Sequence, residues 1–171
     1  MDSRLIRSAC NLFFIFCFFV CTVSSAETDD QMFYKGLKAF EQSKYKMAAE
    51  LWLNAASSGH IRAQNGLGVI YRDGLGMPRN TEKAIDWFYK SAERGYAYGM
   101  YNLALVFISR GDSTDNNIEA YKWLYLATAL NFDEQANYRL YILANRMSKL
   151  EIMEASAQAQ RWFDGFFFEE H

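Results

Sequence analysis

The sequence predicts an all-α protein, a right-handed α-solenoid of about four antiparallel helix pairs, and three observations carry that prediction. The first is internal repetition. A step of thirty-six residues from "KAIDWFYKSAERGYAYG" lands on "EAYKWLYLATALNFDEQ", bringing Ala84 onto Ala120, Trp87 onto Trp123 and Ala92 onto Thr128. The same step backwards lands on "MAAELWLNAASSGHIRA", bringing Ala84 onto Ala48, Phe88 onto Trp52, Ala92 onto Ala56 and Gly95 onto Gly59. The second is the period within a unit. Ala63, Leu67, Ile70 and Tyr71, then Ala84, Trp87, Phe88, Ser91 and Ala92, recur at steps of three and four, so each unit is two amphipathic helices. The third is the lack of alternating β-branched runs. The one proline, Pro78, falls between two helices, where it breaks neither.

In chain order, residues 1–26, "MDSRLIRSACNLFFIFCFFVCTVSSA", have the layout of a secretory signal peptide. Arg4 and Arg7 supply the charged start, and the apolar run from Leu12 to Val23 falls short of the roughly twenty residues that a spanning helix needs. Ser24 and Ala26 put small residues where a signal peptidase reads, so cleavage is expected after Ala26, the mature chain beginning at Glu27; an uncleaved anchor is the alternative. The expected destination is the periplasm or the exterior, with no stable membrane span once the signal is removed. Cys10, Cys17 and Cys21 all lie in that segment, which leaves the remainder without disulfides, thiol chemistry or thiolate metal ligands. Burial alone must then hold the domain, and an aromatic content of 17% suits that task. The net charge of −2, with no basic block, leaves no electrostatic footprint for nucleic acid.

Residues 27–60 read as a helix pair with a short turn, and residues 61–96 as a pair with a longer one. In the latter the second helix is expected to start at Asn80 or Thr81, with Glu82 in its first turn, and to stop at Gly95. Residues 97–132 repeat the pattern, with Leu103 and Phe107 answering Leu67 and Tyr71. Residues 133–165 form a closing pair and 166–171 an aromatic tail. Trp87 and Trp123 are expected in the repeat core. Trp162 and Phe163 are expected to seal the last pair, with docking of a partner or membrane on Phe166, Phe167 and Phe168 as the alternative.

Two Gly-Leu-Gly triplets, in "GLGVIYRDGLG", invite a nucleotide reading. A dinucleotide fingerprint requires a preceding strand and a third small residue; here helix stands on both sides and Tyr71 takes the third place. Gly68 reads instead as the point where the first helix touches the second, and Gly74 and Gly76 as turn residues with positive φ.

These residues resemble the Sel1-like repeats, relatives of tetratricopeptide repeats with a longer turn inside each hairpin. Ala63, Leu67, Gly68 and Tyr71 match the first helix of the motif, Gly74 and Gly76 its turn, and Lys83, Ala84, Trp87, Lys90, Ala92 and Gly95 its second helix. The next unit keeps Ala120, Trp123 and Ala127 but has Ala104 for the helical glycine and "RGDSTDNN" for the glycine pair. The resemblance implies a solenoid that binds other proteins, often in exported or envelope-located bacterial regulators, and implies no chemistry by itself.

Candidate chemistry is sparse. His60 and His171 have no partner at ligand spacing, so no metal site and no cofactor are expected; His60 reads as a loop residue after Gly59. "GDSTDNNIE" lacks calcium-loop spacing and reads as a helix cap. Some cysteine-rich relatives of the resembled family are linked to penicillin binding and β-lactam hydrolysis, and "SKYK", Ser43 to Lys46, satisfies the Ser-x-x-Lys pattern; its Ser-Asp-Asn and Lys-Thr-Gly partners are absent. A non-catalytic adaptor holding a protein or peptide partner is therefore favoured, with a cell-wall or β-lactam hydrolase as the alternative. In stacked hairpins the inner helices line a concave groove. The positions expected to face it are Tyr34, Asn65, Tyr101 and Tyr138, aligned by repeat, together with Arg72 and Tyr98. Tyrosine suits this role because a rigid ring with a polar tip binds at little entropy cost. Packing of the same rings between repeats is the alternative.

Overall fold

The structure, a computed structural model, describes residues 27–130 and 132–168. The expected signal segment 1–26, the side chain of Phe168 and residues 169–171 of the tail lie outside what it describes. Among the described residues eight helices follow one another: α1 Asp29–Glu41, α2 Tyr45–Ser57, α3 Ile61–Asp73, α4 Thr81–Glu93, α5 Ala97–Ser109, α6 Thr114–Ala129, α7 Glu134–Ala144 and α8 Lys149–Phe168. They form an all-α solenoid of paired antiparallel helices. α1 packs on α2, α3 on α4 and α5 on α6, and the second helix of each pair packs on the first helix of the next. α3 also touches α5, so the first helices share one face. None of the helices among the described residues is long and apolar enough to cross a membrane.

Local chemistry sets the helix ends. Asn80 Oδ1 accepts from Lys83 N at 2.9 Å to start α4, and Ser113 Oγ accepts from Asn116 N at 3.3 Å to start α6, as the sequence leads one to expect. Gly74, at φ 69°, ends α3 in the left-handed conformation that a side chain disfavours. His60 departs from its expected role as a plain loop residue. Its Nδ1 accepts from Ala63 N at 3.1 Å, capping α3, while Nε2 meets Asp30 Oδ1 at 3.0 Å and the ring stacks on Phe33. It therefore ties the second unit to the first.

The helical glycines are points of close contact between helices, both within a pair and between pairs. A Cβ on Gly68 would lie 2.4 Å from the Phe88 ring, and one on Gly66 would lie 2.7 Å from Trp52. Trp52 is also met by Gly36, at 2.5 Å from an added Cβ, and its Nε1 donates to Phe33 O at 3.1 Å. The indole thus lies between the glycines of two successive first helices. Phe88 meets Gly68 one unit on as Trp52 meets Gly36, but Asn102 stands where a second glycine would face it.

Two expectations need correction. Trp87 is only half-buried, under the Lys90 ammonium at 4.3 Å, whereas its counterpart Trp123 is buried. The core position in every unit is the next residue, Trp52, Phe88 or Leu124; Trp123 is buried in addition because α8 lies over α6. The closing pair is the second. α8 packs chiefly along α6, where the fully buried Ala155 and Ala159 permit close approach, and not along α7. Trp162 meets Trp123 edge-on at 6.2 Å, so it covers the outer side of α6 and not the end of the stack. Phe166 and Phe167 continue α8 without a break at 165, and the Phe166 ring occupies the space that a Cβ on Gly95 would need.

Candidate protein-binding face

The first helix of each pair has thirteen residues in α1, α3 and α5, so equivalent positions can be counted from their starts. The fifth place holds Phe33, Asn65, Tyr101 and, in α7, Tyr138; the sixth holds Tyr34, Gly66, Asn102 and Arg139. Tyr34 is therefore one place out of the register assigned to it. Phe33 is the true equivalent of Asn65, as the matching contacts of Gly36 and Gly68 show, and Phe33 is buried. The shorter turn of the first unit hides this in the sequence.

The remaining positions come together across helices. Asn102 Nδ2 donates to Asn65 Oδ1 at 2.9 Å, and Arg72 Nη1 donates to Asn102 Oδ1 at 2.9 Å, so α3 and α5 are joined by a polar ladder. Arg72 also chelates the neighbouring Asp73 carboxylate at 2.7 Å and 2.8 Å, which holds that carboxyl below its ordinary range. Arg139 Nε donates to the Tyr101 hydroxyl at 2.8 Å, joining α5 to α7. Tyr101 is half-buried against Phe132 at 5.0 Å, and Tyr98 meets the same Phe132 edge-on at 4.6 Å. Tyr98 is 55% exposed and Tyr138 67%, so these two rings present their surface to solvent. Tyr34 is 55% exposed, with the Arg62 guanidinium 5.8 Å from its ring centre.

Asn102, Arg62, Arg139 and Phe132 belong to this face and are missing from the positions named by sequence. Arg62 was legible, since a step of thirty-six residues places it on Tyr98. The other three depend on contacts between helices. Ser43 and Lys46 are exposed at the turn between α1 and α2, where the Ser43 hydroxyl meets that of Tyr45 at 3.4 Å. Among the described residues no three His, Cys, Asp or Glu side chains gather as a metal site.

The family pattern described as the Sel1 repeat matches residues 31–60, 61–96 and 97–132. The chain belongs to the Sel1-repeat family. Among solved structures, this Sel1-repeat chain is similar to a protective antigen present in uropathogenic Escherichia coli strains, with a TM-score of 0.75 at 19% identity over 82% of this chain and 31% of that one. It is also similar to a Sel1 repeat protein from Oxalobacter formigenes, with a TM-score of 0.62 at 26% identity over 78% of this chain and 54% of that one. Among curated proteins it is 31% identical over 101 residues to chitin synthase regulatory factor 2 of Schizosaccharomyces pombe, covering 58% of this chain and 18% of the relative. The chain thus spans less than a fifth of that relative's length. As a Sel1-repeat protein it presents a protein-interaction module, and its fold is that of a typically non-catalytic scaffold family.

Proposed function

We propose that this Sel1-repeat protein is an exported, non-catalytic adaptor or regulator that holds a protein or peptide partner across α1, α3, α5 and α7. The observation that carries the reading is that Tyr34, Tyr98 and Tyr138 stand exposed on first helices, of which α3, α5 and α7 are joined by hydrogen bonds among Asn65, Asn102 and Arg72 and between Arg139 and Tyr101. Such bonds fix the helices that carry the rings, and the Tyr101 ring itself, before a partner arrives, which lowers the ordering cost of binding. The name of the fission-yeast relative, a regulatory factor, is in keeping with a regulator, and the layout of residues 1–26 supports export. No specific observation favours the hydrolase alternative.

The test is site-specific photocrosslinking in the producing cells. A photoreactive residue at Tyr98 or Tyr138 is expected to capture a partner that one at Tyr125, exposed on the second helix α6, does not. Tyr138→Ala should then weaken binding of that partner by about 2 kcal/mol with unchanged melting, since interface energy concentrates in a few aromatic anchors. Equal capture from Tyr125, or normal binding by both Tyr98→Ala and Tyr138→Ala, overturns the reading. An intact mass beginning at Glu27 supports export, and one retaining Met1 refutes cleavage.

A further inference from the structure

Among the described residues, three arginines on or beside the binding face are not paired with a neighbouring carboxylate, and nor is Arg79 in the α3–α4 turn. Arg72 pairs with Asp73, Arg110 with Glu82, Arg146 with Asp112 and Arg161 with Glu154. Among the described residues, no carboxylate is paired with Arg62, Arg94 or Arg139. Arg62 and Arg94 line one open cavity of about 480 Å³ between the α2–α3 and α4–α5 loops, together with Tyr96 and His60. Arg62 lies 5.0 Å from the centre of the Phe33 ring, and Arg94 donates to Gly59 O. Each contact holds a guanidinium in place while leaving most of its five N–H donors unused.

The cavity opens onto the aromatic strip. Tyr96 stacks on Tyr98 at 5.5 Å, Tyr98 meets Phe132, Phe132 meets Tyr101, and Tyr101 receives the Arg139 hydrogen bond. Cations therefore stand at both ends of a run of rings, with Arg62 and Arg94 at one end and Arg139 at the other. Asp30 engages His60 and is not a partner of either cavity arginine.

We infer that the occupant of this face is an extended acidic segment of a partner protein. Its carboxylates meet Arg62 and Arg94 in the cavity and Arg139 beyond, and its apolar side chains stack on Tyr98, Phe132 and Tyr138. Planar guanidinium groups held by rings suit bidentate pairing with carboxylates. Single-stranded nucleic acid also combines negative charge with stacking, but the chain's net charge of −2 lacks the basic field that such ligands require. The inference rests on the protein-binding reading of this face.

The experiment is fluorescence anisotropy of a labelled poly(Glu,Tyr) copolymer with the purified protein. Arg62→Gln/Arg139→Gln leaves the Arg94 contact with Gly59 untouched, and a triple variant adds Arg94→Gln; melting curves establish that each is folded. Saturable binding is expected, weakened about tenfold or more in the double variant at unchanged melting, and further reduced by salt. Poly(Lys,Tyr) should not bind. The inference is overturned if the copolymer does not bind, if the folded double variant binds equally, if poly(Lys,Tyr) binds as well, or if oligodeoxythymidylate competes with equal strength. Crosslinking separates the two readings: a partner lost by Tyr138→Ala but retained at full strength by the arginine variants refutes acidic recognition and leaves the protein-binding face standing.

Discussion

Gly68→Ala tests why the repeat carries a glycine within a helix. The added methyl would lie 2.4 Å from Phe88 Cδ1 and Cε1, whereas carbon atoms in good contact are about 3.5–4.0 Å apart. Phe88 is fully buried among Ala84, Leu103 and Ala104, so α3 and α4 must separate to relieve the clash. Overpacking of this kind costs about 1–3 kcal/mol, and replacing a mid-helix glycine returns about 1 kcal/mol, giving a net loss of about 0–2 kcal/mol. The next unit supplies an internal comparison. Ala104 stands at the place of Gly68 and Leu124 at the place of Phe88, and both are fully buried. On a Phe88→Leu background, Gly68→Ala should therefore be neutral or stabilising, with a coupling of about 1–3 kcal/mol between the two sites. Urea unfolding of the four proteins measures it, provided the m-value is unchanged. If the two substitutions add to within about 0.5 kcal/mol, close approach to Phe88 is not the reason for the glycine.

Trp123→Ala should cost about 3–5 kcal/mol as a buried ring, while Trp87→Ala should cost clearly less, because that ring is already partly solvated; equal losses in denaturant unfolding would contradict the burial pattern. His60→Ala removes the α3 cap and the link to Asp30, and should lower stability by about 1 kcal/mol or more, a shift visible in thermal melting. Arg72 holds the Asp73 carboxyl below its ordinary value of 3.8, so Asp73 contributes stability above that pH and loses it as the pH falls through the lower folded value. Asp73→Asn should accordingly flatten the acid limb of stability against pH below about 4, with little change in its shape near neutrality.

The helix pairs were legible because their causes are local. The spacing of Ala84, Phe88 and Ala92, the cap at Asn80 and the left-handed Gly74 each act within a few residues, and the repeat multiplies the signal. Tyr98 and Tyr138 could be named as exposed face positions for the same reason. The register of the first unit was harder to read. Its short turn removes the landmarks Gly74 and Gly76, and an offset of one residue exchanges exposed Tyr34 for buried Phe33.

By itself the sequence determined that the chain is a stack of antiparallel helix pairs, where its best-marked helix ends fall, such as the start of α4 and the stops at Gly59 and Gly95, and which residue types can cover a shared face. These follow from periodicity and capping, which are short-range. Only the tertiary structure decided that α8 lies on α6, burying Trp123 while leaving Trp87 partly solvated, and that the aromatic tail returns to Gly95. It alone brought together Arg72 with Asn102, Asn102 with Asn65 and Arg139 with Tyr101, pairs 30, 37 and 38 residues apart. A one-dimensional period specifies which side of a helix is apolar, but which neighbour covers that side, and which polar groups then meet, depends on packing between surfaces distant in the chain.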